Sequence, residues 1–248
     1  MFATKISLYG IFIMFSIFMG LFVVYKNTIY LNFRREETIG LLIYIAIGAI
    51  FGAKYFTFLI NFGNYAGTFD FVKVGLSSYG AVIGIIILLF LFSKQYKKSF
   101  RDLIYVLLPS IPLMYSIGKI GCFLAGCCYG IEYNGPLSVS YNYSYDAIKG
   151  VSLFPVQLLE TIVFFVIFIY INNKIKNKKT DKIIVIGQTF VISGVAKFLL
   201  DYLRMNNTDG LFSINQLISM IFAFIGIIMI FIGMRRSMCK RVQWVLCF

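Results

Sequence analysis

An all-α polytopic membrane protein of about seven transmembrane helices is predicted by three observations. The 248 residues are 60% hydrophobic and only 13% charged, with mean hydropathy +0.85. Apolar runs of spanning length recur along the whole chain. The basic residues lie in alternate connectors between them. A soluble domain of this length needs a charged shell that this sequence lacks. The net charge of +13 could suit nucleic acid, but its placement beside apolar runs points to anionic lipid instead, and no nucleic-acid partner is expected.

The spans fall at about 6–25, 39–62, 77–93, 103–125, 154–172, 183–200 and 212–234. The first is long enough to cross and lacks a small-residue cleavage site, so it reads as a span rather than a cleaved signal. Together they form one integral membrane domain over 1–248. One set of connectors carries Lys26, Arg34 and Arg35; Lys94, Lys97, Lys98 and Arg101; Lys174, Lys176, Lys178, Lys179 and Lys182; and Arg235, Arg236, Lys240 and Arg241. That is sixteen of the 23 basic residues. The positive-inside rule makes this set cytoplasmic, with the N-terminus outside and a basic C-terminal tail of about 235–248 inside. The longest external connector, about 126–153, is rich in Tyr, Asn and Ser; a solvated, disordered loop is one reading, but its five tyrosines supply packing area such loops lack and favour a small ordered head.

Lys54, Lys119 and Lys197 each stand alone within an apolar span. A bare ammonium in hydrocarbon costs several kcal/mol, so such residues face a protein interior or a wet cavity. Converging, they would form a cationic pocket for an anionic lipid head group. Three segments carry the remaining polar chemistry. Gly118-Lys119-Ile120-Gly121-Cys122-Phe123-Leu124-Ala125-Gly126-Cys127-Cys128-Tyr129-Gly130 places a lysine among four glycines. Glycines there allow close approach of a backbone or a ligand, so a phosphate site and a helix-packing face with a snorkelling lysine are both open. Phe154-Pro155-Val156-Gln157-Leu158-Leu159-Glu160 opens a span, with Pro155 suited to a first helical position and Gln157 and Glu160 on one face. Glu160 can be the partner of a buried lysine or a general base. Lys197, Asp201 and Arg204 continue one another at helical spacing, either as an ordinary salt bridge or as part of a site.

The chain contains no histidine, which excludes an imidazole base and any His-ligated metal. Cys122, Cys127, Cys128, Cys239 and Cys247 do not have the paired spacing of a zinc site, and no metal ligands or cofactor are expected. Cys127 and Cys128, beside a basic residue, could be nucleophilic, could pair with Cys122 in a disulfide, or could fill space. Cys239 and Cys247 lie near the membrane and could be acylated.

The order of these segments resembles the bacterial prolipoprotein diacylglyceryl transferase family over nearly the whole chain. The matching residues are Tyr9-Gly10, Gly48 to Tyr55, Tyr79-Gly80-Ala81, Gly118 to Gly130, Phe154 to Glu160 and Lys197 to Arg204. The resemblance implies transfer of a diacylglyceryl group from phosphatidylglycerol, or another anionic phospholipid, to a cysteine thiol of a lipoprotein precursor in the bacterial cell membrane. Glycerol phosphate is the other product. It also implies substrate binding by Tyr9, Lys119, Gly121, Gly126, Gly130, Gln157, Lys197 and Arg204, with Glu160, Tyr79 and Asp201 as catalytic candidates. Several positions depart from the family pattern. Tyr79 and Phe154 stand for histidines, Lys119 and Lys197 for arginines, Cys122 and Ala125 for asparagines, and Cys127 and Asp201 for glutamates. Charge sign survives at 119, 197 and 201, whereas the bidentate guanidinium fork does not. A catalytically silent lipid-binding protein on the same scaffold is the alternative.

Overall fold

The computed structural model describes residues 2–62, 75, 77–142, 150–177, 180–205 and 212–246. Among these it contains eight helices: α1 (Phe2–Tyr30), α2 (Arg35–Ile60), α3 (Ser78–Gln95), α4 (Phe100–Leu107), α5 (Ser110–Ala125), α6 (Val156–Asn177), α7 (Lys182–Asp201) and α8 (Ile214–Leu246). Six segments are long and apolar enough to cross a bilayer, with α4 and α5 together counting as one (Phe100–Ala125). The apolar part of α3, Tyr79–Gln95, is shorter. At about 1.5 Å per residue it still reaches most of the hydrocarbon thickness. Helix surfaces carry large exposed apolar side chains such as Met14, Ile60 and Phe224, as lipid contact requires. The protein is an all-helical, multi-pass membrane protein.

Several boundaries differ from those read in the sequence, and four of the differences have a local cause or consequence. Helix α2 starts at Arg35 rather than near 39, because Glu37 accepts a hydrogen bond from the Arg34 backbone N–H at 2.9 Å and draws the polar first turn into the helix. The fourth span is two helices, broken where Leu108 and Pro109 interrupt the hydrogen-bond ladder; Pro109 has no N–H to give. Helix α8 continues through most of the basic tail to Leu246. Pro155 precedes the first residue of α6 by one position, and its carbonyl accepts from Leu158 N–H at 3.0 Å.

The helices form two compact units: Val24–Val106, and Met1–Val23 with Leu107–Phe248. In the first, α2 and α3 pack through glycines spaced four apart on each helix. A Cβ on Gly48 would lie 2.8 Å from the carbonyl oxygen of Gly84, and one on Gly52 2.7 Å from Gly84 Cα. Only hydrogen fits between these backbones, and the small-xxx-small pattern exists for that approach. Lys98 and Glu37 pair at 2.8 Å at one end of the same unit.

In the second unit, α7 and α8 use the same device: a Cβ on Gly187 would lie 2.7 Å from Gly226 O. Helices α5 and α6 are joined differently. Ser116 Oγ donates to Thr161 O at 2.9 Å, and Thr161 Oγ1 donates to Ser116 O at 3.2 Å. The described part of the long connector packs on itself and on Phe123 of α5, with Tyr141 and Leu153 fully buried against Phe123, Tyr129, Val139 and Val151. Residues 143–149 of that connector and Cys247 lie outside the described residues.

Candidate active site

The centre of the second unit is one carboxylate between two ammoniums. Glu160, on the first turns of α6, is 1% exposed at its side chain. Its Oε2 lies 2.6 Å from Lys119 Nζ of α5, and its Oε1 lies 2.5 Å from Lys197 Nζ of α7. Tyr115, one turn before Lys119, donates its hydroxyl to Glu160 Oε1 at 2.8 Å. The Tyr115 ring also faces both cations, whose nitrogens lie 5.2 Å (Lys119) and 5.5 Å (Lys197) from its centroid. Carboxylate, phenol and π-face thus share the work of holding two lysines away from water. The cluster keeps one surplus positive charge, and Arg204 lies within electrostatic range of Lys197 and Tyr115.

The neighbouring backbone fixes this geometry. The loop after α5 pairs with the segment after α7: Gly130 bridges to Arg204, and Ile131 N–H donates to Leu203 O at 3.0 Å. A Cβ on Gly130 would lie 2.5 Å from Phe154 O and 2.7 Å from Leu203 O, so only glycine allows that crossing. Gln157, fully buried, donates from Nε2 to the Cys127 carbonyl at 2.8 Å and accepts from Tyr141 Oη at 3.5 Å. Asp201 accepts from the Ser213 hydroxyl, and Ser213 is also the N-cap of α8: its backbone N–H donates to Gln216 Oε1 at 2.9 Å, and its Oγ accepts from the Gln216 backbone N–H at 3.1 Å.

Gly126 adopts the left-handed conformation (φ 72°) that closes α5. Its N–H donates to Phe123 O, and Cys127 N–H donates to Cys122 O at 3.1 Å. This Schellman closure folds residue 127 back beside residue 122. Cys128 follows, also left-handed at φ 57°. The three cysteines are free and half-buried, with sulfurs all within 4.8 Å of one another. Hydrogen bonds from Cys122 and Cys127, then the charges of Lys119 and Arg204, hold the Cys128 thiol below its ordinary range. Hydrogen bonds with Cys122 and Cys128 push the Cys127 thiol up.

The sequence candidates therefore divide. Lys119, Glu160 and Lys197 meet directly, with Gln157, Gly126, Gly130, Asp201 and Arg204 in the surrounding frame of the same unit. Gly121 is buried against Tyr9 and Phe12 of α1. Tyr9 itself is 38% exposed and within electrostatic range of the three thiols. Tyr79, 56% exposed at the start of α3, and half-buried Lys54 of α2 belong to the other unit. Sequence reasoning passed over Tyr115, whose only signal is its position one helical turn from Lys119. It also passed over Ser213, whose Ser-x-x-Gln capping pattern was legible.

A family model described as prolipoprotein diacylglyceryl transferase matches residues 1–232. The chain belongs to that family. It is 28% identical to the phosphatidylglycerol–prolipoprotein diacylglyceryl transferase of Clostridium tetani over 233 residues, covering 92% of this chain and 93% of the relative. A second such transferase of Clostridium perfringens is 28% identical over 239 residues, with 93% and 91% coverage. That of Francisella tularensis is 24% identical over 255 residues, with 96% and 94% coverage. Family membership makes the protein a transferase-family member of lipoprotein biosynthesis.

Proposed function

We propose that the protein moves the diacylglyceryl group of phosphatidylglycerol onto the cysteine thiol of a lipoprotein precursor, as a single integral domain of the bacterial cell membrane. The observation that carries this reading is the Lys119–Glu160–Lys197 cluster, a buried site with surplus positive charge inside apolar helices. A phosphodiester is the anionic group that lipid brings to such a depth. Its oxygens compete with Glu160 for the two ammoniums, and Arg204 adds a third cation. Tyr9, Gly121, Gly126, Gly130 and Gln157 complete the substrate-binding frame.

The reaction forms a carbon–sulfur bond as a carbon–oxygen bond breaks. The acceptor sulfur attacks the glycerol carbon that bears the phosphate ester, and glycerol phosphate leaves with the electron pair. Lys119 and Lys197, drawn onto the phosphate, stabilise the charge that develops on it. Their withdrawal frees Glu160 to take the thiol proton, a task the chain must do without imidazole. Asp201 is the next proton acceptor if Glu160 is not the base; Tyr79, the other sequence candidate, belongs to the other unit.

Protein reconstituted in phosphatidylglycerol vesicles should release glycerol phosphate only with a peptide carrying an acceptor cysteine. Lys119→Ala should lower that turnover by about a hundredfold, and Lys119→Arg should retain or raise it through the bidentate fork. Unchanged turnover in Lys119→Ala removes this lysine from the site, and no glycerol phosphate from the wild type leaves a silent lipid-binding scaffold. We also propose an external N-terminus. An impermeant thiol reagent on intact cells should label a cysteine placed at Asn142 and not one placed at Lys178; the opposite pattern reverses the topology.

A further inference from the structure

The three thiols that close α5 have no part in the reaction as proposed, yet they are the most organised group of nucleophiles among the described residues. Cys122 and Cys127 are brought together by the Schellman hydrogen bond rather than by paired C-x-x-C spacing, and Cys128 turns back through a left-handed backbone. All three sulfurs lie within 4.8 Å of one another, and all three side chains are half-buried. The loop holding them is fixed from outside. Gln157 holds the Cys127 carbonyl at 2.8 Å, and Tyr129 and Gly130 pair with the segment at Arg204. Such a set is organised before any ligand arrives.

Three thiolates suit a soft or borderline divalent cation. Zinc–sulfur bonds of about 2.3 Å in tetrahedral geometry need sulfurs about 3.8 Å apart. Sulfurs within 4.8 Å of one another need to close by no more than about 1 Å to reach that spacing. Three thiolates around a divalent ion carry one net negative charge, which the nearby Lys119 and Arg204 offset; both act electrostatically on Cys128. A fourth ligand position remains open, as in sites where zinc works on a substrate rather than on the fold. The other substrate of the proposed reaction is itself a thiol.

We propose that Cys122, Cys127 and Cys128 bind one thiophilic divalent cation of the zinc class, whose open position takes the acceptor's cysteine as a thiolate. The second half rests on the transfer reaction proposed above. On coordination the acceptor thiol forms a metal–sulfur bond and loses its proton to Glu160 or to water. The bound sulfur then attacks the glycerol carbon, and glycerol phosphate departs. The product is a neutral thioether, a much weaker ligand, so it leaves and reopens the position. No electrons change hands.

The test uses the full-length protein in detergent, stripped with a chelator and titrated with Co2+. A thiolate-to-cobalt charge-transfer band should saturate at one ion per chain and disappear on adding Zn2+. Cys122→Ser, Cys127→Ser and Cys128→Ser should each abolish or sharply weaken the band, while the double variant Cys239→Ser/Cys247→Ser should keep it. The wild type gives an independent reading: Zn2+ should protect three of the five thiols from alkylation. No band, or full alkylation with Zn2+ present, overturns the site. A peptide with the acceptor cysteine should change the cobalt spectrum and its serine counterpart should not; no change with either overturns the thiolate role. Turnover is read separately. Equal glycerol phosphate release with and without Zn2+ also overturns that role. A saturating cobalt band in protein that releases no glycerol phosphate supports the metal site and counts against the transferase reading.

Discussion

The α2–α3 pair and the α5–α6–α7 group solve the same problem, joining helices in lipid, by opposite means. In the first, Gly48, Gly52, Gly80 and Gly84 remove side chains so that backbones touch. In the second, Glu160, Lys119, Lys197 and Tyr115 put polar groups between the helices and satisfy them against one another. Lipid tails are as apolar as leucine, so burial alone does not drive either joint. The glycine joint depends on shape and is indifferent to charge. The polar joint depends on charge balance, so an anionic ligand can rearrange it. The reaction proposed above calls for the second kind of joint.

The largest effect should come from the glycine joint. A leucine at Gly84 must place its Cβ against the backbone carbonyl of Gly48, and neither helix can yield a backbone atom. Overpacking costs about 1–3 kcal/mol where side chains and small backbone shifts absorb it; here a Cβ meets backbone of both Gly48 and Gly52, so the whole joint between the two helices should be lost. Gly84→Leu should lose most folded protein in detergent, read by thermal unfolding, while Gly84→Ala loses less. A Gly84→Leu protein as stable as the wild type would show that the two helices do not depend on this approach.

Next comes the charge balance. Removing one partner of a buried ion pair costs about 3–5 kcal/mol because the other charge stays buried and unpaired. Glu160→Ala strands two ammoniums and should destabilise strongly. Glu160→Gln keeps the shape and part of the hydrogen bonding, and should lose turnover far more than lipid binding. Equal loss of folding and lipid binding in Glu160→Gln would make Glu160 a counter-ion and nothing more.

Much of this architecture was legible because bilayer physics is restrictive. Apolar runs announced the spans, and Lys119 and Lys197 stood out because charge is rare within them. Glu160 followed as the carboxylate such lysines need. Other features were hidden for physical reasons. Aromatics make up 18% of the chain, so Tyr115 looked like any other lipid-facing ring until its hydroxyl was seen on Glu160. The break before α5 lay inside a largely apolar run, where Pro109 and Pro112 were the local cues. The grouping of Cys122, Cys127 and Cys128 depends on a helix-terminal turn rather than a fixed motif, so spacing alone left disulfide, nucleophile and filler all open. Lys54 had the same signal as the other two lysines and belongs to the other unit, because hydropathy records depth and not helix neighbours.

Tyr115→Phe separates the two means of holding charge within the polar joint and should have the smallest effect. The phenylalanine ring keeps its face under both ammoniums, and Tyr115 packs 4.3 Å from the Phe164 ring by a contact that needs no hydroxyl. Only the 2.8 Å hydrogen bond to Glu160 Oε1 is removed. A hydrogen bond to a charged group contributes about 1.5–3 kcal/mol, but Lys197 remains on the same oxygen and offsets part of the loss. Stability should therefore fall modestly, by about 1 kcal/mol, in thermal unfolding. Tyr115→Leu, which also removes the π-face, should fall further. Turnover should decline only a few-fold in Tyr115→Phe if the phenol positions Glu160 without touching the substrate. If Tyr115→Phe matches Glu160→Gln in lost turnover at unchanged stability, the phenol itself carries the proton. The polar joint would then hold its acid–base group on α5 rather than α6.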